Sequence, residues 1–135
     1  MNLRSQQLLQ SRPEIPSAIV NDSMSKDEQF QNKTLRPIIK LQNDLLIEVF
    51  KNYLRKRKYA YYDLGLQERY VYIENAIQRD MKFRNSLKGM IIGQFTVEEY
   101  DQYIENSSAL NKRMMNLVIE RLKDQIQLFE YEIAN

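Results

Sequence analysis

Phe95-Thr96-Val97-Glu98-Glu99-Tyr100 carries the sharpest local signal in the 135-residue chain. It reads as a helix start. A threonine at the N-cap accepts a hydrogen bond from the amide three residues on, and a glutamate there reaches back to the N-cap amide. Thr96 and Glu99 have this spacing, and Phe95 and Tyr100 occupy the two positions of a hydrophobic staple. Just upstream, Gly93 suits the left-handed residue that ends a preceding helix. One helix therefore stops and another starts within a few residues.

Working outward, the flanking segments also have helical periodicity. Before the signal, Leu66, Tyr70, Ile73, Ile77, Leu87 and Ile91 form a stripe over 66–92. Gly89 lies inside that stripe as a point of weakness. Further upstream, Leu35, Ile38, Gln42, Leu45, Leu46, Val49, Phe50 and Tyr53 share a face of a helix over 37–58, with Pro37 fitting its first turn. After the signal, a short helix ends near Asn106, and Ser107 or Ser108 caps a last helix over 109–133. The apolar residues of that last helix cover more than half its circumference, which points to contact with several neighbours, another chain among them. The expected fold is all-α: a small helical bundle of three long helices plus one short helix, with a flexible N-terminal tail. Residues 1–33, rich in Ser, Gln and Asn, read as a mostly disordered tail with a short helical turn near 25–33, signalled by Ser25-Lys26-Asp27-Glu28. Residues 34–135 read as the bundle domain.

Composition narrows the chemistry. The chain has no histidine and no cysteine, which removes the usual neutral-pH base, the thiol nucleophile and the two strongest side-chain ligands for zinc. No disulfide scaffold is available. No apolar run is long enough for a secretory signal or a membrane span, so a cytoplasmic location is expected. The net charge of +2 conceals an asymmetry: residues 33–90 carry 13 basic against 6 acidic side chains, whereas 91–135 carry 4 against 8. Opposed charges of this kind attract within one molecule or between copies.

Two groups of residues stand out as candidate sites. Arg55, Lys56, Arg57 and Lys58, followed by Tyr59, Tyr61 and Tyr62, combine cations for phosphates with aromatic platforms for bases. The alternative is a basic helix C-terminus favoured by the macrodipole, followed by core aromatics. Asp80 and Arg84 fall in the middle of the apolar stripe of 66–92 at a spacing that allows a buried ion pair. Asp44 and Glu48 share a helix face but lack the histidines of a diiron bundle. No phosphate loop, dinucleotide fingerprint or nucleophile elbow is present, and the sequence implies no catalytic residue, cofactor or metal.

Residues 34–46, 87–100 and 106–114 (Thr34-Leu-Arg-Pro-Ile-Ile-Lys, Leu87-Lys-Gly-Met-Ile-Ile-Gly, Asn106-Ser-Ser-Ala-Leu-Asn-Lys) resemble a family of short, uncharacterised α-helical bacterial proteins, some automatically labelled "glyoxalase". The resemblance spans roughly residues 30–130 and implies no site residues. Glyoxalase enzymes hold metal through histidines, and a chain without histidine cannot supply those ligands. The leading expectation is thus a non-enzymatic interaction protein that self-associates or binds a protein partner. Nucleic-acid association through Arg55–Lys58 is the alternative, and a glyoxalase-type enzyme is disfavoured.

Overall fold

The computed structural model describes residues 2–58 and 60–130. Its regular elements are all helical: α1 (Leu3–Ser11), α2 (Lys26–Phe30), α3 (Arg36–Leu41), α4 (Asn43–Lys56), α5 (Leu66–Arg79), α6 (Met81–Ile92), α7 (Val97–Glu105) and α8 (Ser107–Asp124). A π-helical turn, Gln31–Leu35, joins α2 to α3, and 3-10 turns span Ala60–Asp63 and Ile126–Leu128. No described helix is long and apolar enough to cross a membrane.

The helix α8 is the axis of the fold. It buries Leu110, Met114, Met115, Leu117, Val118, Ile119 and Leu122, and it touches α3, α5, α6, α7 and the π turn. Its wide apolar face is therefore accounted for inside one molecule. Asn106 precedes it at the N-cap without a side-chain cap bond, so neither Ser107 nor Ser108 caps it. The helix ends at Asp124 and gives way to the 3-10 turn Ile126–Leu128, so it stops short of the expected end at Ile133, which itself lies outside the described residues.

The expected long helix over 66–92 is two helices. Asp80 is extended (φ −82°, ψ 95°), ends α5, and caps α6 by accepting from the Phe83 amide at 3.2 Å. An aspartate at an N-cap satisfies an amide that a helix start leaves without a partner. Gly89 is not the break. Gly93 ends α6 with right-handed angles (φ −59°, ψ −17°). There a Cβ would meet the Gly89 carbonyl at 3.0 Å, so close approach, and not a left-handed turn, explains the glycine. Among the described residues the left-handed one is Lys58 (φ 55°), just past α4.

The helix expected from Pro37 begins earlier, after Ser25, whose hydroxyl accepts from the Glu28 amide at 3.1 Å. Pro37 lies within this helical run, where its ring crowds the carbonyl four residues back. The wide turn at Gln31–Leu35 gives it room. A second irregularity at Gln42 (ψ 2°) separates α3 from α4. Together they rotate the buried face away from a simple 3.6-residue count. Ile39, Ile47 and Leu54 become buried alongside Leu46, Phe50 and Tyr53, and Leu45 turns outward at 51% exposure. Phe50 anchors an aromatic cluster with Phe129 (4.8 Å), Tyr53 (5.9 Å) and Tyr61 (6.4 Å between ring centroids).

The N-terminal segment departs most from the sequence reading. Residues expected as a disordered tail contain α1 and make specific long-range contacts. Arg4 donates to the carbonyls of Phe95 (2.8 Å) and Gly93 (2.9 Å). Lys40 donates to the Glu14 carbonyl, and Asn32 donates to the Ile19 carbonyl at 2.9 Å. The segment lies along the bundle as a strap held by polar side chains, which is why hydrophobic periodicity gives no sign of it.

Truncating Phe50 to alanine is expected to lower unfolding free energy by about 3–5 kcal/mol. Leu45→Ala, although on the expected core face, should change it by no more than about 0.5 kcal/mol. Chemical denaturation of the two variants checks this re-phasing.

Candidate functional sites

Three surfaces or clusters concentrate polar chemistry: a buried carboxylate at the start of α7, a groove at the start of α6, and the outer face of α7.

The buried carboxylate is Glu99. The capping box is complete: the Glu99 amide donates to Thr96 Oγ1 (3.1 Å), and the Thr96 amide donates to Glu99 Oε1 (2.8 Å). Arg12 clamps the same carboxylate with two bonds, at 2.6 and 2.7 Å, and also donates to the Gln94 carbonyl. The Thr34 hydroxyl donates to Oε2 at 2.8 Å. Glu99 is only 8% exposed and the Arg12 side chain only 7%. Burial pushes the Glu99 carboxyl upward, but Arg12, the Thr96 amide and the Thr34 hydroxyl outweigh it and hold the group below the ordinary glutamate value. The capping half of this arrangement is readable from the sequence. Arg12 and Thr34 are not, because nothing local marks an arginine 87 positions away as a partner.

The groove lies between α4 and α6. Its floor is Val49, Tyr53 and Phe83, and Lys56 and Lys82 stand on its rim. Asp80 does not pair with Arg84 as expected: the break between α5 and α6 takes it off the common helix face. It accepts instead from Arg57 (2.8 Å), the Tyr53 hydroxyl (3.0 Å) and the Phe83 amide. These interactions, the Phe83 amide first, hold the Asp80 carboxyl below its ordinary value. Arg57 lies over the Tyr53 ring, 3.3 Å from its centroid. Burial, and then the bond to Asp80, raise Tyr53 to about 12.

The basic run is thus divided by the structure. Arg57 is committed to Asp80 and Tyr53, Arg55, Lys56 and Lys58 are exposed, and Tyr59 lies outside the described residues. Tyr61 is fully buried and unavailable as a platform, its phenol raised to about 12 mainly by burial, while Tyr62 is half-buried and packs edge-on against it at 5.3 Å. Asp44 and Glu48 are both exposed on α4. Among the described residues, no group of three or more acidic side chains is placed to hold a metal ion.

The outer face of α7 has no marker in the sequence beyond the helix start at Thr96. Phe95 packs edge-on against Phe30 (5.5 Å) and Tyr103 (5.6 Å). Tyr100, its expected staple partner, is left 45% exposed, beside Val97 at 53% and Ile104 at 54%. At about 100° per residue these three lie within roughly 60° of arc. Glu98, Asp101 and Glu105, all exposed, line one flank of this ridge. Glu99 and Tyr103 point the opposite way, into the protein.

Comparison with protein-family models, with curated proteins and with solved structures returned no match.

Replacing Arg12 by methionine leaves a buried carboxylate without its cation, and is expected to cost about 3–5 kcal/mol of stability by denaturant unfolding. Replacing both partners, Arg12→Met with Glu99→Met, should recover a substantial part of that loss. The Glu99 carboxyl is held below its unfolded value, so its contribution is complete above that value, about 4.3, and is lost as pH falls through the folded one. The stability gap between the native protein and Glu99→Gln should therefore be widest near neutrality and close on acidification.

Proposed function

We propose that this protein is a non-enzymatic helical interaction module that docks a protein partner on the outer face of α7. The observation that carries this reading is the exposed ridge of Val97, Tyr100 and Ile104 beside Glu98, Asp101 and Glu105. Scattered exposed apolar residues need no explanation, but an aligned group with a charged rim is the pattern of a binding surface. Tyrosine is among the residues enriched at the centres of such surfaces. The helix is held in place by a buried ion pair and a complete capping box, so the ridge is presented on a rigid element and little ordering cost falls on binding. The face is small, which suits a weak, reversible contact. The acidic flank favours a partner with basic residues beside its apolar contact. A cytoplasmic setting belongs to this reading.

Nucleic-acid association draws less support from the geometry. Arg57 is engaged by Asp80 and Tyr53, and Tyr61 is inside the core.

The test is affinity purification with tagged native protein and with Tyr100→Ser/Ile104→Ser. Both positions are exposed, so the variant is expected to keep its fold by circular dichroism. The native protein should retain a partner, an untagged copy of itself included, that the variant loses. Identical captured sets would overturn the docking role of α7.

A further inference from the structure

We infer that the partner of the α7 ridge is the α4–α6 groove of a second copy of this chain, joined head to tail. This inference rests on the docking role of α7 proposed above.

The two surfaces are complementary in shape and charge. One is a convex ridge, Val97, Tyr100 and Ile104, with Glu98, Asp101 and Glu105 along its flank. The other is a groove of about 260 Å³ with an apolar floor of Val49, Tyr53 and Phe83. Lys56 and Lys82, both exposed, stand on its rim to face the acidic flank. Asp80, the acidic residue on the groove wall, is already engaged by Arg57 and Tyr53 and offers little repulsion to an incoming carboxylate.

The fold keeps the two surfaces apart within one molecule. The groove lies at the first turn of α6, and α7 begins only after α6 has run its 12 residues, about 18 Å at 1.5 Å per residue. A given ridge must therefore find its groove on another copy. The same opposition appears in the charge along the chain, basic over 33–90 and acidic over 91–135. The net charge of +2 opposes association of copies only weakly. Because ridge and groove are different surfaces, the contact is heterologous, and each added copy presents a free surface for the next.

Two variants with one disabled surface each provide the test. The first, Tyr100→Ser/Ile104→Ser, lacks the ridge; the second, Lys56→Ser/Lys82→Ser, lacks the rim of the groove. All four positions are exposed, and circular dichroism verifies the fold. By sedimentation velocity at low salt, the native protein should grow beyond a dimer as concentration rises, and raised salt should reverse this. Each variant alone should associate about tenfold or more weakly. An equimolar mixture of the two should form dimers that grow no further, because the intact groove of the first takes the intact ridge of the second and no second pair remains. A native protein that stays monomeric overturns the inference, as do variants that associate like the native protein or a mixture that stays monomeric. If the native protein is monomeric but the ridge variant still loses a different partner in the affinity experiment, only the head-to-tail inference falls. If the ridge variant changes neither measurement, the docking role of α7 falls as well.

Discussion

Glu99 and Arg12 hold together parts of the chain that no local rule connects. A carboxylate at 8% exposure is costly unless its charge is matched and its oxygens are supplied with donors. Here Arg12 gives two bonds, Thr34 one and the Thr96 amide one. Those donors come from the N-terminal strap, from the π turn and from the start of α7. The same side chain that fixes the first turn of α7 therefore also fixes where the strap lies and where the helical run of α2 and α3 passes. Removing either charge leaves the other buried, which gives this junction a single well-defined geometry.

The ridge follows from that geometry. With Glu99 and Tyr103 turned inward, the helical repeat directs Val97, Tyr100 and Ile104 outward. Phe95 is drawn to Phe30 and Tyr103, and Tyr100, whose ring lies 5.9 Å from that of Tyr103, stays 45% exposed. At the other end of α6, Asp80 plays an analogous part. It caps the helix, receives Arg57 and the Tyr53 hydroxyl, and so shapes the wall of the groove. Two acidic side chains at helix starts thus position the two surfaces on which the functional reading rests.

Much of the fold is legible from local pattern. The helix-start patterns at Ser25 and Thr96, the apolar stripes and the absence of strand alternation give the helical class that the described residues have. Where the reading departs from the structure, a specific local event is responsible. Asp80 has a stripe of apolar residues on both sides, so periodicity runs through it, whereas its own capping chemistry ends one helix and starts the next. Pro37 and Gln42 shift the phase of the first helical run, and Leu45 exchanges its place in the core for Ile47. The breadth of the apolar face on α8 is visible in the sequence, but its cause is a central position among five neighbouring elements and not a surface left for another chain.

The sequence by itself determined the helical class, the Thr96–Glu99 helix start and the absence of histidine and cysteine chemistry. All three depend on residue identity or on contacts within one turn of chain. Only the tertiary structure decided that Arg12 meets Glu99, that Asp80 meets Arg57 and not Arg84, and that the Tyr100 face stays open to solvent. Each depends on which distant segment packs alongside. The partner of a buried charge is chosen by desolvation and geometry across the whole fold, and sequence spacing carries no record of that choice.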